Sequence, residues 1–312
     1  MSTHRLRIGS SGLLLVSHLA AYGLAAALEV GGERAFVGCE ADSPELEPFV
    51  LTSAPPERAV ECVRASALAC REVVDADIAK DRPAIWARFV TEKARAPRAL
   101  QAREQLLDGV QHGLSARLVA GLGAPMTWGG EKATPAQGAT RLDGVAGNST
   151  SDFVRGVLRR TRPAAEEADR DELLAIWAGD DLLLGAEHKD RTGWGPPGIR
   201  VHLAHQWLAA LGLGQLPVGL TTRGSRTPCC FKLRGEPLTV QLPVCSPPAS
   251  APRLRALLAR SELASPELHG PPSARLRALG VPCLVRFQER PAPGRNRAGI
   301  FTFARGEPVD LA

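Results

Sequence analysis

Between Leu13 and Leu28 the chain reads LLLVSHLAAYGLAAAL, with no charged side chain and small or apolar residues almost throughout. Leu15, Leu19, Tyr22 and Ala26 follow helical spacing. Ser10 or Ser11 stands where an N-terminal cap belongs, and Gly31-Gly32 ends the run. A helix that is apolar nearly all round has no face to offer water, so it must be buried, and the expected cover is a sheet. Arg5 and Arg7 ahead of the run give it a superficial likeness to a signal peptide. His18 interrupts the apolar stretch, however, and no secreted-protein cysteine pattern follows. The run is also too short and too polar to span a bilayer.

The seven cysteines show no CxxC spacing, and Cys229 and Cys230 are adjacent. That pattern fits reduced, mostly buried thiols in a cytoplasmic protein rather than a disulfide framework. The expectation is a cytoplasmic chain without membrane contact.

In chain order, Arg34–Cys39 and Leu46–Thr52 read as strands, and Pro55-Pro56 opens a long helical region. Val60, Val63, Ala67 and Leu68 suit one helix, Ile85, Trp86, Phe89 and Val90 a second, and Leu100 to Leu118 a third ending near Gly121. From Gly121 to Thr150 the text turns to Gly, Ala, Thr and Ser, either a flexible loop or an irregular ligand-facing one. It runs into a helix with Phe153, Val154, Val157 and Leu158, capped by Ser151 or Asp152. Such a loop offers free N–H donors to a phosphate, but no Gly-Lys-Ser/Thr follows, so it is not a Walker loop. Asp169–Trp177 is another helix. Pro196-Pro197 starts one that carries Ile199, Leu203, Trp207 and Leu211 and stops at Gly212 and Gly214.

Beyond this, Leu216–Val244 carries a basic, hydroxyl-rich loop, Thr221-Thr222-Arg223-Gly224-Ser225-Arg226-Thr227. Glycine lets backbone N–H groups turn toward a ligand, hydroxyls donate short hydrogen bonds, and arginine forks match phosphate oxygens. A β-hairpin follows, with Cys230–Arg234 and Leu238–Leu242 as its arms and Gly235-Glu236 as its turn. Ser250–Arg260 and Ser273–Leu279 read as arginine-bearing helices. Cys283–Glu289 and Gly299–Ala304 read as a final strand pair around a second basic loop, Arg290–Arg297. The predicted fold class is α+β. Residues 1–124 are helix-rich with short strands, 125–150 a loop or linker, and 151–312 a basic region with an antiparallel sheet and flanking helices.

Charge sharpens this division. Residues 1–190 hold 22 Lys+Arg against 27 Asp+Glu, whereas 191–305 hold 16 against 4. Positive charge so concentrated favours a polyanion. The residues expected to contact phosphate or bases are Arg223, Ser225, Arg226, Lys232 and Arg234, then Arg295 and Arg297, then Arg155 and Arg159. No catalytic signature stands out and no cofactor is expected. An acidic group, Asp180, Asp181, Glu187 and His188, defines an enzymatic alternative, a metal-dependent phosphodiesterase. Those carboxylates lack a recognised ligand spacing, and solvated loop acids are the commoner arrangement. His202 and His205 with Cys229, Cys230 and Cys245 match no zinc signature, so packing or solvent histidines are expected. A third alternative is a scaffold whose basic surface docks an acidic protein.

Two places resemble a known family. The helix Ser17–Leu28 is similar to the small-residue-rich opening helix of compact large-subunit-like proteins in type I CRISPR effector complexes. The order Trp207, then Leu216-Pro217-Val218, then Arg223-Gly224-Ser225-Arg226, a strand pair, a proline-rich joint and an arginine helix with Leu254, Leu257 and Leu258 resembles the C-terminal part of that group. The resemblance is nearest to subunits of type I-G (formerly I-U) systems and covers about half the chain in order and texture. It implies a non-enzymatic subunit that assembles with guide RNA, target DNA and other effector-complex subunits. Its relatives contact the guide's 5′ end or the duplex motif flanking the target, and strand cleavage belongs to a separate helicase-nuclease.

Overall fold

The computed structural model describes residues 3–9, 13–40, 43–75, 101, 105, 108, 113–121, 154–179, 192–217, 219–221, 224–231, 237–263, 272–291 and 301–311. Strand β1 (His4–Arg7) leads to helix α1 (Leu15–Val30), and strands β2 (Ala35–Cys39) and β3 (Pro48–Thr52) follow. Helices α2 (Pro56–Ala69), α3 (Arg71–Asp75) and α4 (Gly113–Gly121) come next. A π-helical turn, Val154–Leu158, runs into α5 (Arg159–Glu166), and α6 (Arg170–Ala178) follows. Asp169 caps α6 by accepting from the Glu172 N–H at 2.9 Å, as its sequence position predicts.

Helix α7 (Leu203–Gly212) begins later than Pro196-Pro197 led us to expect. Gly198 sits at φ +90°, which breaks the run, and the His202 ring caps α7 by accepting from the Ala204 N–H at 3.2 Å. The chain continues through a 3₁₀ turn, Leu213–Gln215, to β4 (Gly219–Thr221), β5 (Gly224–Arg226), β6 (Cys230–Phe231), β7 (Thr239–Val244) and β8 (Ala249–Ser250). Helices α8 (Ala251–Leu258) and α9 (Pro272–Ala278) precede β9 (Cys283–Pro291), β10 (Phe301–Phe303) and β11 (Glu307–Asp310).

The fold is α+β, with two antiparallel sheets and a small hairpin. The first sheet has the order β1-β3-β2-β8. Its last member comes from the basic region: Phe36 pairs with Ser250 and Val37 with Ala249. In the second sheet β9 lies beside β7, with Thr239 opposite Gln288 and Val244 opposite Cys283. On the opposite edge of β9, β10 pairs near Glu289–Pro291 and β11 near Cys283–Arg286. Gly306 lies between β10 and β11; a Cβ there would come within 2.6 Å of the Phe287 ring. Of the expected 230–242 hairpin, Cys230 pairs with Val240 and Phe231 with Thr239, while Lys232–Arg234 and the Gly235-Glu236 turn lie outside the described residues.

Helix α1 is buried from Leu15 through Leu28, as its apolar text requires. Its principal cover is α7 rather than a sheet; strands β2 and β3 and helix α2 flank it. The reason lies in two glycines. A Cβ at Gly23 would stand 1.8 Å from the Leu208 carbonyl oxygen, and one at Gly212 would stand 2.0 Å from that of Leu19. The two helices therefore meet backbone to backbone. Gly212 is required by that crossing, not by a helix stop, since the chain continues helically past it. Residues from both parts of the chain, such as Leu19, Val63, Leu208 and Leu284, belong to one continuous core.

Some of the polar groups taken into this core are paired across it. The Trp207 indole donates to the Ser66 hydroxyl at 3.0 Å, and Ser66 in turn donates to the Val63 carbonyl at 2.6 Å. All seven cysteines are free thiols, six of them buried. Burial pushes the Cys70 and Cys245 thiols up to about 11, so they behave as small apolar groups. Among the described residues, no helix is long and apolar enough to cross a membrane.

Candidate nucleic-acid interface

Either side of the basic loop's centre, β4 and β5 pair antiparallel. Gly219 pairs with Arg226, Leu220 with Ser225 and Thr221 with Gly224, which leaves positions 222 and 223 as a two-residue connection. Ser225 and Arg226 thus stand on β5. Arg223, Lys232, Arg234, Arg295 and Arg297 lie outside the described residues, as do the acidic group Asp180, Asp181, Glu187 and His188 and the 125–150 linker.

Arg155 falls within the π-helical turn and Arg159 begins α5. The Arg159 Nε donates to the Val74 carbonyl at 3.1 Å, and its Nη2 is buried without a hydrogen-bond partner among the described residues. Its guanidinium therefore ties α5 to the end of α3. One turn on, Arg162 reaches Glu166 at 2.6 Å and Asp75 at 3.6 Å. Arg159 and Arg162 thus hold helices together, and sequence spacing alone gave no sign of that.

The basic C-terminal part distributes its guanidinium groups differently. Arg255 donates to Gln215 at 2.9 Å and reaches Glu29 at 3.4 Å, the same carboxylate that Arg117 holds at 2.9 Å. Burial alone would raise the Glu29 carboxyl, but hydrogen bonds from Arg117 and Arg255 outweigh it and hold the group below its ordinary value. Arg305 pairs with Glu45, and Arg260 with Glu262 at 2.6 Å. Arg253 donates to the Leu279 carbonyl at 2.7 Å. Arg275 and Arg277 on α9 are exposed, and their side chains have no hydrogen bond or ion pair among the described residues. Arg277 also lines a depression of about 440 Å³ with Ser246, Gly280, Pro282, Asp310 and Leu311. Arg290 is exposed, with only a 3.4 Å contact to Gln288. Arg275 and Arg277 were legible as arginines on a predicted helix, whereas Arg290, expected at the start of the second basic loop, lies within strand β9 instead.

The histidines do not form a metal centre. His202 Nε2 lies 3.2 Å from Glu172, and His205 Nε2 accepts from the Trp177 indole at 3.3 Å. Among the described residues, no group of three or more His, Cys, Asp or Glu side chains is placed to hold a metal ion. His202 thus caps α7 beside Glu172, and His205 is held by Trp177.

No family model matches the chain, and neither a curated protein nor a solved structure is found similar to it.

Proposed function

We propose that this protein is a non-catalytic nucleic-acid-binding subunit of an RNA-guided effector complex of the type I CRISPR kind, acting in the cytoplasm. In this reading its arginines contact the guide RNA 5′ end, the target DNA flanking motif, or both, while neighbouring subunits hold the remainder of the guide.

The observation that carries the reading is the surplus of arginine in residues 191–305, part of which is left available. Arg275, Arg277 and Arg290 are exposed, and Arg226 stands on strand β5 of the β4–β5 hairpin. Guanidinium groups in such positions supply salt-dependent phosphate contact, and a bidentate pair reads guanine in a major groove. The resemblance of the Ser17–Leu28 helix and of the order from Trp207 to Leu258 to compact large-subunit-like proteins supports the same role.

The test is co-expression with the neighbouring genes, followed by absorbance at 260 nm and sequencing of bound RNA. Replacing Arg223 and Arg226 together with alanine should weaken binding about 10-fold and flatten the salt slope. Unchanged affinity and slope would remove the hairpin from the interface, and a preparation free of nucleic acid would remove the proposal itself.

A further inference from the structure

A small cavity lies where α1 begins, far in sequence from the arginine hairpin. It has a volume of about 40 Å³ and is lined by Gly9, Ser17, Arg200 and His205, with Ile8 and Val16 among its apolar walls. On this scale it takes about one to three water-sized groups. A terminal group fits; a sugar or a base does not.

The chemistry of the lining is one-sided. His205 is 1% exposed. Its Nε2 accepts from the Trp177 indole N–H at 3.3 Å, so the ring hydrogen belongs on Nδ1. Burial, with His202 as a lesser cause, lowers the ring to about 3, and the imidazole is neutral at ordinary pH. Nδ1 is thus a buried donor, and it finds no acceptor among the described residues. Such a donor is costly to leave unmet.

Around it stand further donors: the Ser17 hydroxyl and, at the exposed rim, Arg200, which has no ion pair among the described residues. Helix α1, sixteen residues long, opens here with Leu14 at its N-cap and no side-chain cap bond. Its first turn adds a positive end of the helix dipole. No carboxylate lines the cavity. The Ser17 hydroxyl can donate or accept, and the buried Nδ1 donor and the positive rim lack an anionic partner among the described residues.

We propose that this cavity is an oxyanion site, in which one oxygen of a terminal carboxylate or phosphate group accepts from His205 Nδ1 and the charge of that group faces Arg200. The neutral histidine binds and orients; it carries no proton on or off. The site is independent of the nucleic-acid reading, since Arg275, Arg277 and Arg290 do not line it.

The experiment uses the full chain at pH 7.5, titrated separately with inorganic phosphate and with acetate. The readout is the long-range histidine ring ¹H–¹⁵N spectrum, with the His205 signals identified by their absence in His205→Gln. A saturable shift of the Nδ1 resonance is expected, with a Kd of about 1 mM or below. Phosphate binding the tighter marks a phosphate site, and acetate the tighter a carboxylate site. Replacing the ring also takes away the acceptor of Trp177, so the discriminating variant is Arg200→Ala at the rim. It should raise the Kd about 10-fold while leaving the melting temperature unchanged. No saturable shift with either anion would mean that water alone meets Nδ1, and the proposal fails. A shift indifferent to Arg200→Ala would overturn it as well.

Discussion

The arginines of the acidic N-terminal part and those of the basic C-terminal part are chemically identical and do different work. In the first part nearly every described guanidinium is engaged. Arg7 holds Glu47 at 2.5 Å, Arg58 holds Glu61 at 2.8 Å, and Arg64 donates to the Ala168 carbonyl at 2.6 Å. Arg5 pairs with Glu40 and Arg71 with Glu166; exposed Arg34 and Arg160 are the exceptions among the described residues. In the second part some arginines reach back to the first, Arg255 to Glu29 and Arg305 to Glu45, while Arg275 and Arg277 stay in solvent. A count of charges therefore overstates what a polyanion meets. The acidic part neutralises itself and a share of its neighbour, and the remainder defines the candidate interface.

The two parts share one core, and the largest expected effect breaks or confirms their unity. Gly23→Ala forces a Cβ onto the Leu208 carbonyl, where the backbones have no room to part. A loss of about 3 kcal/mol is expected, seen as one cooperative urea transition moved to lower denaturant. Two separate transitions would show that the parts are independent domains.

Acidification should act across the same seam. The folded ring of His205 is held at about 3, below its unfolded value of about 6.5, so the unfolded chain takes up a proton that the folded chain refuses. This contribution is complete above pH 6.5 and falls away as the pH drops from there toward 3. At pH 5 the wild type should have lost about 2 kcal/mol through this group. Urea midpoints at pH 7 and pH 5 should differ less, by roughly that amount, in His205→Gln than in wild type.

A smaller effect sharpens the contrast between engaged and available arginines. Arg275→Ala with Arg277→Ala should weaken binding to a nucleic-acid duplex about 10-fold, lower the salt slope by about 2 and leave stability alone. Arg117→Ala should do the reverse, costing about 1 kcal/mol through the half-buried Glu29 network while binding holds. Equal behaviour of the two variants in both assays would dissolve the distinction. The least effect belongs to Arg305→Ala. Its exposed pairing with Glu45 should contribute about 0.5 kcal/mol or less, read as a shift in midpoint at low salt.

Much of the architecture was legible along the chain. Local signals mark the beginnings and ends of most described elements: Pro56 at the first position of α2, Asp169 capping α6, Gly31 closing α1, and alternation through Cys230–Leu242. Strands β1 and β8 escaped that reading. Four residues and two residues carry too little pattern, and their strand character comes from partners 48 and more than 200 positions away, as in His4 with Thr52 and Phe36 with Ser250. The site was legible only as residue types. That Arg159 packs against Val74, while Arg275 and Arg277 remain in solvent, depends on which face of each helix meets the core.

By itself the sequence determined that the Leu13–Leu28 run would be a buried helix, that the class would be α+β, and that positive charge would gather toward the C-terminus, because periodicity, capping and composition are local or additive properties. Tertiary structure alone decided that α7 would cover that helix through Gly23 and Gly212, which guanidinium groups would find carboxylates, and that Ser17, Arg200 and His205 would share one cavity. Those outcomes rest on contacts between positions that no sequence window joins, where a fraction of an ångström in backbone approach determines which side chains meet.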